Sequence, residues 1–318
     1  MVNNNFLLES YEDKISNYSQ IGGIELATIR GGTGDGTQIA WFNTGSGLRF
    51  KVVIDYGLDI ADAFINQYGL AWISPFGPVV SGMYIQSVLE KQYYNVGGLL
   101  TTYGSKGTEI GPWDMQISRY PATIESVLQP NPLRGEYAMS ICGKILQTTS
   151  SGDYIELRRI ISATLGKSRI TIKDTLINLG ASRIPYLFSY QCNFGYPLVD
   201  DDTHLIFQGA PTTWNVSAEA EEEQDHQLNL INLDVDRRGF SECGLRNDKL
   251  GFEVSLKYKK SQFPILKTWQ SFKKGGYMIG LNPCADRQNE HDNDQELFFL
   301  DSMEERSYSL NIDIIHKK

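Results

Sequence analysis

Phe252-Glu253-Val254-Ser255-Leu256-Lys257-Tyr258-Lys259 decides the fold class. Phe252, Val254, Leu256 and Tyr258 alternate with Glu253, Ser255, Lys257 and Lys259. Successive side chains of a strand point to opposite faces, so a period of two describes a strand with one buried and one wet face. A helix would instead repeat its apolar residues three and four positions apart.

The same period recurs on both sides of this stretch. Tyr308, Leu310, Ile312 and Ile314 alternate with Ser309, Asn311 and Asp313, and Ile170 to Leu176 follows suit. Leu48 to Ile54, Tyr137 to Leu146 and Ile155 to Ile161 are rich in the aromatic and β-branched residues that strands favour. Gly31 to Gly36, Ser151-Gly152-Asp153, Leu165-Gly166-Lys167 and Lys274-Gly275-Gly276 separate them as turns. Ile60 to Tyr68 suits a short helix, and no long amphipathic helix is evident. The expected fold is therefore mostly β, a sandwich or barrel. With no repeat and no Pro/Gly/Ser linker, the simplest organisation is an N-terminal extension over residues 1–20 and one domain over residues 21–318.

Composition narrows the partners. A net charge of −9 without a basic stripe argues against nucleic acid, and an acidic surface repels anionic lipid. No apolar run has the length of a membrane span, and Met1 to Ser19 lacks the apolar core of a leader. The expectation is a cytoplasmic protein that binds a small neutral molecule, with no nucleic-acid or membrane partner. Cys142, Cys192, Cys243 and Cys284 are widely spaced and read as reduced thiols. Nothing in the sequence fixes an oligomeric state.

Several motifs dissolve on inspection. Gly31 to Gly36 lacks the Lys-Ser/Thr of a phosphate loop and reads as a hairpin turn. Asp200-Asp201-Asp202 lacks the spacing of a calcium loop and reads as a charged strand end. His204, His226, His291 and His316 share no metal-ligand spacing, so no metal is expected. There is no Gly-x-Ser-x-Gly elbow. Ala218 to Gln227 and Ala285 to Glu296 read as solvated loops.

Tyr190-Gln191-Cys192-Asn193-Phe194-Gly195-Tyr196-Pro197-Leu198 is more suggestive. Amides such as Gln191 and Asn193 hydrogen-bond hydroxyls, and rings such as Tyr196 stack on the apolar face of a sugar. Trp72, Trp113 and Trp269 offer further platforms, although a lone Trp is as readily a core residue.

These segments also carry a resemblance. In order they are Ser46-Gly47-Leu48-Arg49-Phe50, Gly57-Leu58-Asp59-Ile60, Leu70-Ala71-Trp72-Ile73-Ser74-Pro75, Gly97-Gly98-Leu99-Leu100-Thr101-Thr102 and Pro121-Ala122. Arg158-Arg159-Ile160, Ile172 to Gly180, Asn193 to Leu198 and Gly280-Leu281-Asn282-Pro283 complete the series. Together, over residues 20 to 315, they resemble a bacterial branch of the aldose 1-epimerase-like (galactose mutarotase-like) superfamily. The resemblance implies a large antiparallel β-supersandwich with a sugar cleft on one sheet. It implies an isomerase of sugar anomers that needs no cofactor, with a Glu as base and a His as acid.

This chain departs at those positions. The Glu of the Gly-Leu-Glu-Pro motif is Asn282, and the His before the Asn-Phe-Gly-Tyr-Pro motif is Gln191. A further family His corresponds to Asp114 of Asp114-Met115-Gln116-Ile117-Ser118. Amides hold hydroxyls but neither take up nor release protons near neutral pH. The expected sugar-binding residues are Gln191, Asn193, Tyr196, Asn282, Trp72, Trp113 and Arg49, with Asp114 as the one catalytic candidate; Asp59 reads as a structural residue that ties a turn. Three readings follow: a sugar-binding protein weak or inactive as a mutarotase, an epimerase rewired around Asp114, or a non-catalytic sensor or partner-binding module.

Overall fold

The computed structural model describes residues 14–75, 77, 79, 97–105, 120–148, 154–201, 203–215, 226–230, 233–273, 276–285 and 298–317. Its strands form three antiparallel sheets. A five-stranded meander runs β1 (Gly23–Thr28), β2 (Gln38–Asn43), β3 (Leu48–Val53), β4 (Asp59–Ile65) and β5 (Tyr68–Gly69).

The second sheet has nine strands. They are β7 (Thr123–Leu128), β8 (Ala138–Thr148), β9 (Tyr154–Thr164), β10 (Arg169–Asn178), β12 (Thr203–Phe207), β13 (Ala210–Asn215), β15 (Phe240–Asn247), β16 (Phe252–Lys259) and β20 (Glu305–His316). Their order is β13-β12-β15-β16-β20-β10-β9-β8-β7. The third sheet is ordered β14 (His226–Leu230), β17 (Ile265–Lys273), β18 (Gly276–Ala285), β11 (Ile184–Gly195) and β19 (Phe298–Leu300), with β6 (Thr101–Ser105) also paired to β11.

Aromatic residues bind the layers together. Phe188 of β11 stacks on Tyr308 of β20 with ring centroids 4.4 Å apart, and the hydroxyls of Tyr186 and Tyr308 lie 2.8 Å apart. The third sheet therefore packs face to face on the nine-stranded one. Tyr68 meets Phe252 at 5.9 Å, which brings the five-stranded meander against the same sheet. One contiguous core cluster draws on all three sheets, from Phe50 through Phe188 to Leu256.

The mostly β, antiparallel architecture matches the expectation from periodicity, and the strand of β16 begins and ends where the alternation does. Its wet face is smaller than expected. Glu253 and Ser255 are buried, because β16 is an internal strand and both side chains have polar partners. Lys317 pairs with Glu253 at 2.9 Å, and Ser255 donates to Glu242 at 2.7 Å.

Two expectations fail. Ile60 to Tyr68 is not a helix but most of β4, a turn and the start of β5. Both faces of β4 are buried, so no alternation shows, and a short continuous apolar run does not separate strand from helix. His226 opens β14 rather than lying in a loop, and it pairs with Gln270. Gly31 to Gly36 does join β1 to β2 as a hairpin. Cys142, Cys192, Cys243 and Cys284 are free thiols, the last three buried. Among the described residues no helix is long and apolar enough to cross a membrane. Among them, too, no group of three or more His, Cys, Asp and Glu residues is placed to hold a metal ion.

Candidate functional site

The third sheet has one apolar and one polar face. Phe188, Tyr190, Cys192 and Phe194 of β11 are fully buried and point into the core cluster. Gln191 and Asn193 stand between them, so they share the opposite face. Residues directly opposite in an antiparallel ladder project to the same side. Asn193 pairs with Gly280 and Gly280 with Trp269; the register kept by Phe188–Ala285 and Cys192–Leu281 sets Gln191 across from Asn282. Asn282 pairs in turn with Lys267, and Gln191 with Thr101 of β6.

Two polar rows therefore cross the sheet, Thr101-Gln191-Asn282-Lys267 and Asn193-Gly280-Trp269. The ladder between β11 and β18 is interrupted between the Ser189–Cys284 and Cys192–Leu281 pairs. Pro283, inside β18, has no N–H to donate there. Gln191 and Asn282 are half-buried rather than sealed in a filled core.

Trp72 belongs to this face as well. Its N–H donates to the Asn193 carbonyl at 3.0 Å, and its own carbonyl accepts from Gly98 N–H at 2.8 Å. Ala71 bridges to Phe194, laying residues 71–73 along the end of β11. The approach is close enough to require Gly195: a Cβ there would stand 2.7 Å from Trp72 Cα. Asn193 is fully buried, and its Nδ2 donates to the Gly98 carbonyl at 3.2 Å. That bond fixes the amide so that Oδ1 turns toward Gly280. Asn193 Oδ1 and Asn282 Oδ1 are both buried, and neither has a hydrogen-bond partner among the described residues.

The structure thus brings together Gln191, Asn193, Asn282 and Trp72, with Trp269 beside them. Tyr196 falls outside the rows: it follows the last residue of β11 and is 69% exposed. Arg49 lies in the five-stranded sheet, where its Nη2 donates to the Asn66 carbonyl at 2.9 Å; no described contact joins it to the amides. Trp113 and Asp114 lie outside the described residues.

A second polar cluster lies on the core side of the same strand. Arg159 of β9 is fully buried. It grips Asp174 of β10 with two hydrogen bonds, Nε to Oδ1 at 2.9 Å and Nη2 to Oδ2 at 2.6 Å. It also donates to Asp59 Oδ1 at 2.7 Å, to the Gly57 carbonyl at 3.0 Å and to Thr102 Oγ1 at 2.7 Å. Tyr190 donates to Asp174 Oδ2 at 2.7 Å. Burial pushes the Asp59 carboxyl up to about 6, against the pull of Arg159 and the Thr102 hydrogen bonds. The Tyr190 hydroxyl is pushed well up by burial and by the neighbouring Asp174 charge.

This cluster clamps β4, β6, β9, β10 and β11 together, so Asp59 ties sheets rather than a single turn. Reading the sequence for chemistry passed over Arg159, Asp174, Thr102 and Tyr190. The signal was present: Arg159 and Asp174 occupy inward-phase positions among Leu157, Ile161, Ile172 and Leu176.

A sequence profile of the family described as "Domain of unknown function (DUF4432)" matches residues 34–314. The chain belongs to the DUF4432 family. No curated protein matches this DUF4432 chain. Solved structures do. A protein from Klebsiella pneumoniae, described as a candidate aldose 1-epimerase, matches with a TM-score of 0.77 at 15% identity, over 95% of this chain and 87% of that one. A galactose mutarotase-like protein from Clostridium acetobutylicum matches with a TM-score of 0.68 at 10% identity, over 93% of this chain and 99% of that one. A galactose 1-epimerase from Lactobacillus acidophilus gives 0.61 at 10% identity, over 93% and 99%. At these identities the likeness is one of fold: this DUF4432 chain has the β-sandwich architecture of the aldose 1-epimerase and galactose mutarotase-like proteins.

Proposed function

We propose that this chain is a cytoplasmic, carbohydrate-binding protein of aldose 1-epimerase-like fold, built as one domain behind a short N-terminal extension. It holds a neutral sugar on the polar face of its third sheet without the usual acid–base pair. The observation that carries the reading is the convergence of Gln191, Asn193 and Asn282 on one face, flanked by Trp72 and Trp269. Two buried amide oxygens there have no donor among the described residues, and buried acceptors are costly unless something donates to them. Amides beside aromatic rings suit hydroxyls and the apolar face of a pyranose. No cofactor, metal, nucleic acid or membrane enters this reading.

The absence of acid–base work follows from the same residues. Gln191 and Asn282 stand where the resembling enzymes use His and Glu, and neither amide titrates. Asp114 is the group on which a rewired isomerase would depend.

The test is a binding screen of glucose, galactose, fucose and rhamnose by calorimetry or ligand-observed NMR, with Gln191→Ala beside wild type. Binding that weakens on substitution is expected. Failure of wild type to bind any of them would sink the reading. The exposed Leu26, Leu128 and Leu133 would then direct attention to a partner-binding role.

A further inference from the structure

Gly280 is a glycine that the fold does not need. It lies in β18 with extended backbone, so no left-handed conformation calls for it. A Cβ added there would meet Asn282 Oδ1 at 3.5 Å, Asn193 Oδ1 at 3.6 Å and the Trp269 carbonyl at 3.6 Å, all ordinary contacts. Gly195 and Gly244 differ. A Cβ at Gly195 would strike Trp72 Cα at 2.7 Å, and one at Gly244 would strike the Val254 carbonyl at 2.2 Å. Glycine inside a strand weakens it and often marks a place where another group must approach closely.

What must approach is set by the two oxygens. Both amide oxygens lie within one contact distance of the point above Gly280, and both are buried without a donor among the described residues. Asn193 cannot turn its amide over without giving up its bond to Gly98. The occupant must therefore donate to Asn193. Asn282 is free of that restraint; as it stands it accepts, and turned over it would donate. A hydroxyl satisfies either arrangement, because it both donates and accepts. A carboxylate or phosphate oxygen has only lone pairs to set against those of Asn193. A C–H or a methyl leaves Asn193 Oδ1 unpaired.

We propose that the niche above Gly280, between Asn193 and Asn282, is a single-hydroxyl subsite that selects a ligand carrying an O–H at one defined position. It rests on the sugar-binding reading above and adds a specificity rule to it. Gly280 is its clearance residue and Asn193 its fixed acceptor. The subsite rejects a deoxy carbon or an anionic oxygen at that position.

The test pairs the full-length wild type with Gly280→Ala against the four sugars of the screen and their monodeoxy analogues. A methyl fits the space, so the variant is expected to fold and melt with wild type. In wild type, one deoxy position should weaken binding at least ~10-fold, the usual scale for an acceptor left unpaired. In Gly280→Ala the parent sugar should bind at least ~10-fold more weakly, and that same deoxy analogue should bind no worse than its parent. Asn282→Leu, at a half-exposed position, should show the same selective loss and serves if the first variant does not fold. Equal affinity of wild type and variant for the parent sugar overturns the subsite while leaving sugar binding intact. A deoxy penalty that persists unchanged in the variants does the same. If wild type binds none of the sugars, the subsite and the sugar-binding reading fall together.

Discussion

Arg159 lies directly opposite Asp174 in the β9–β10 ladder, and its guanidinium holds that carboxylate through two hydrogen bonds while a third reaches Asp59. Three charges are thus sealed in an otherwise apolar core. Removing one member of such a buried set leaves the others without compensation, which typically costs 3–5 kcal/mol.

Arg159→Met should therefore lose about 3–5 kcal/mol of unfolding free energy in urea, since Asp59 and Asp174 would face each other without a cation. Adding Asp174→Leu should restore part of that loss, because the second change removes an uncompensated charge. A loss below ~1 kcal/mol for Arg159→Met would show that the cluster does not clamp the sheets as described.

The same cluster sets a pH dependence of unusual sign. Burial raises Asp59 from the ordinary 3.8 to about 6, so the folded chain holds this proton more tightly than the unfolded one. Its stabilising contribution is complete below the unfolded value and is lost as pH rises through the folded one. Between pH about 4 and about 6, wild type should lose stability relative to Asp59→Asn, on the order of 1.4 kcal/mol for each unit separating the two values. Urea titrations of both proteins across that window test it. A wild type that gains on the variant as pH rises would contradict the direction.

Much of the architecture was legible in residues such as Phe252 to Tyr258, because a strand with one apolar face writes its period into the sequence. β4 was not, since a strand buried on both faces has no such period, and Ile60 to Ile65 is compatible with either helix or strand. The site was legible in part. Gln191 and Asn193 share a face by their spacing alone, but their meeting with Asn282 and Trp72 depends on pairings between distant segments. Tyr196 followed Asn193 closely enough to suggest a shared site, yet β11 ends at Gly195 and the alternation ends with it. The role of Gly280 could not be read from sequence, because only the positions of two neighbouring amides show what its missing side chain leaves open.

Gly195 offers a contrast to Gly280. A Cβ at Gly195 would crowd Trp72 at its Cα, its N and its Cβ, at 2.7, 3.1 and 3.1 Å, and backbone atoms yield little. Gly195→Ala should destabilise the chain by about 1–3 kcal/mol, the usual cost of overpacking. Because Trp72 N–H bonds to Asn193, the variant should also weaken sugar binding even where it remains folded. Unchanged melting and unchanged binding would mean that Trp72 is not seated on β11 as described.

The last prediction concerns catalysis. The register on either side sets Gln191 and Asn282 across from each other on the polar face of β11 and β18. Neither moves a proton, so wild type should not speed the interconversion of freshly dissolved α-anomers followed by polarimetry. Installing the acid–base pair that the sequence resemblance implies for these positions, Gln191→His with Asn282→Glu, should create acceleration with a bell-shaped pH profile, since one group must be protonated and the other not. Each single variant should remain inactive. Acceleration already present in wild type would count against the amide reading. Its loss in Asp114→Asn would then move the proton chemistry to that carboxylate, while its survival would place that chemistry elsewhere in the chain.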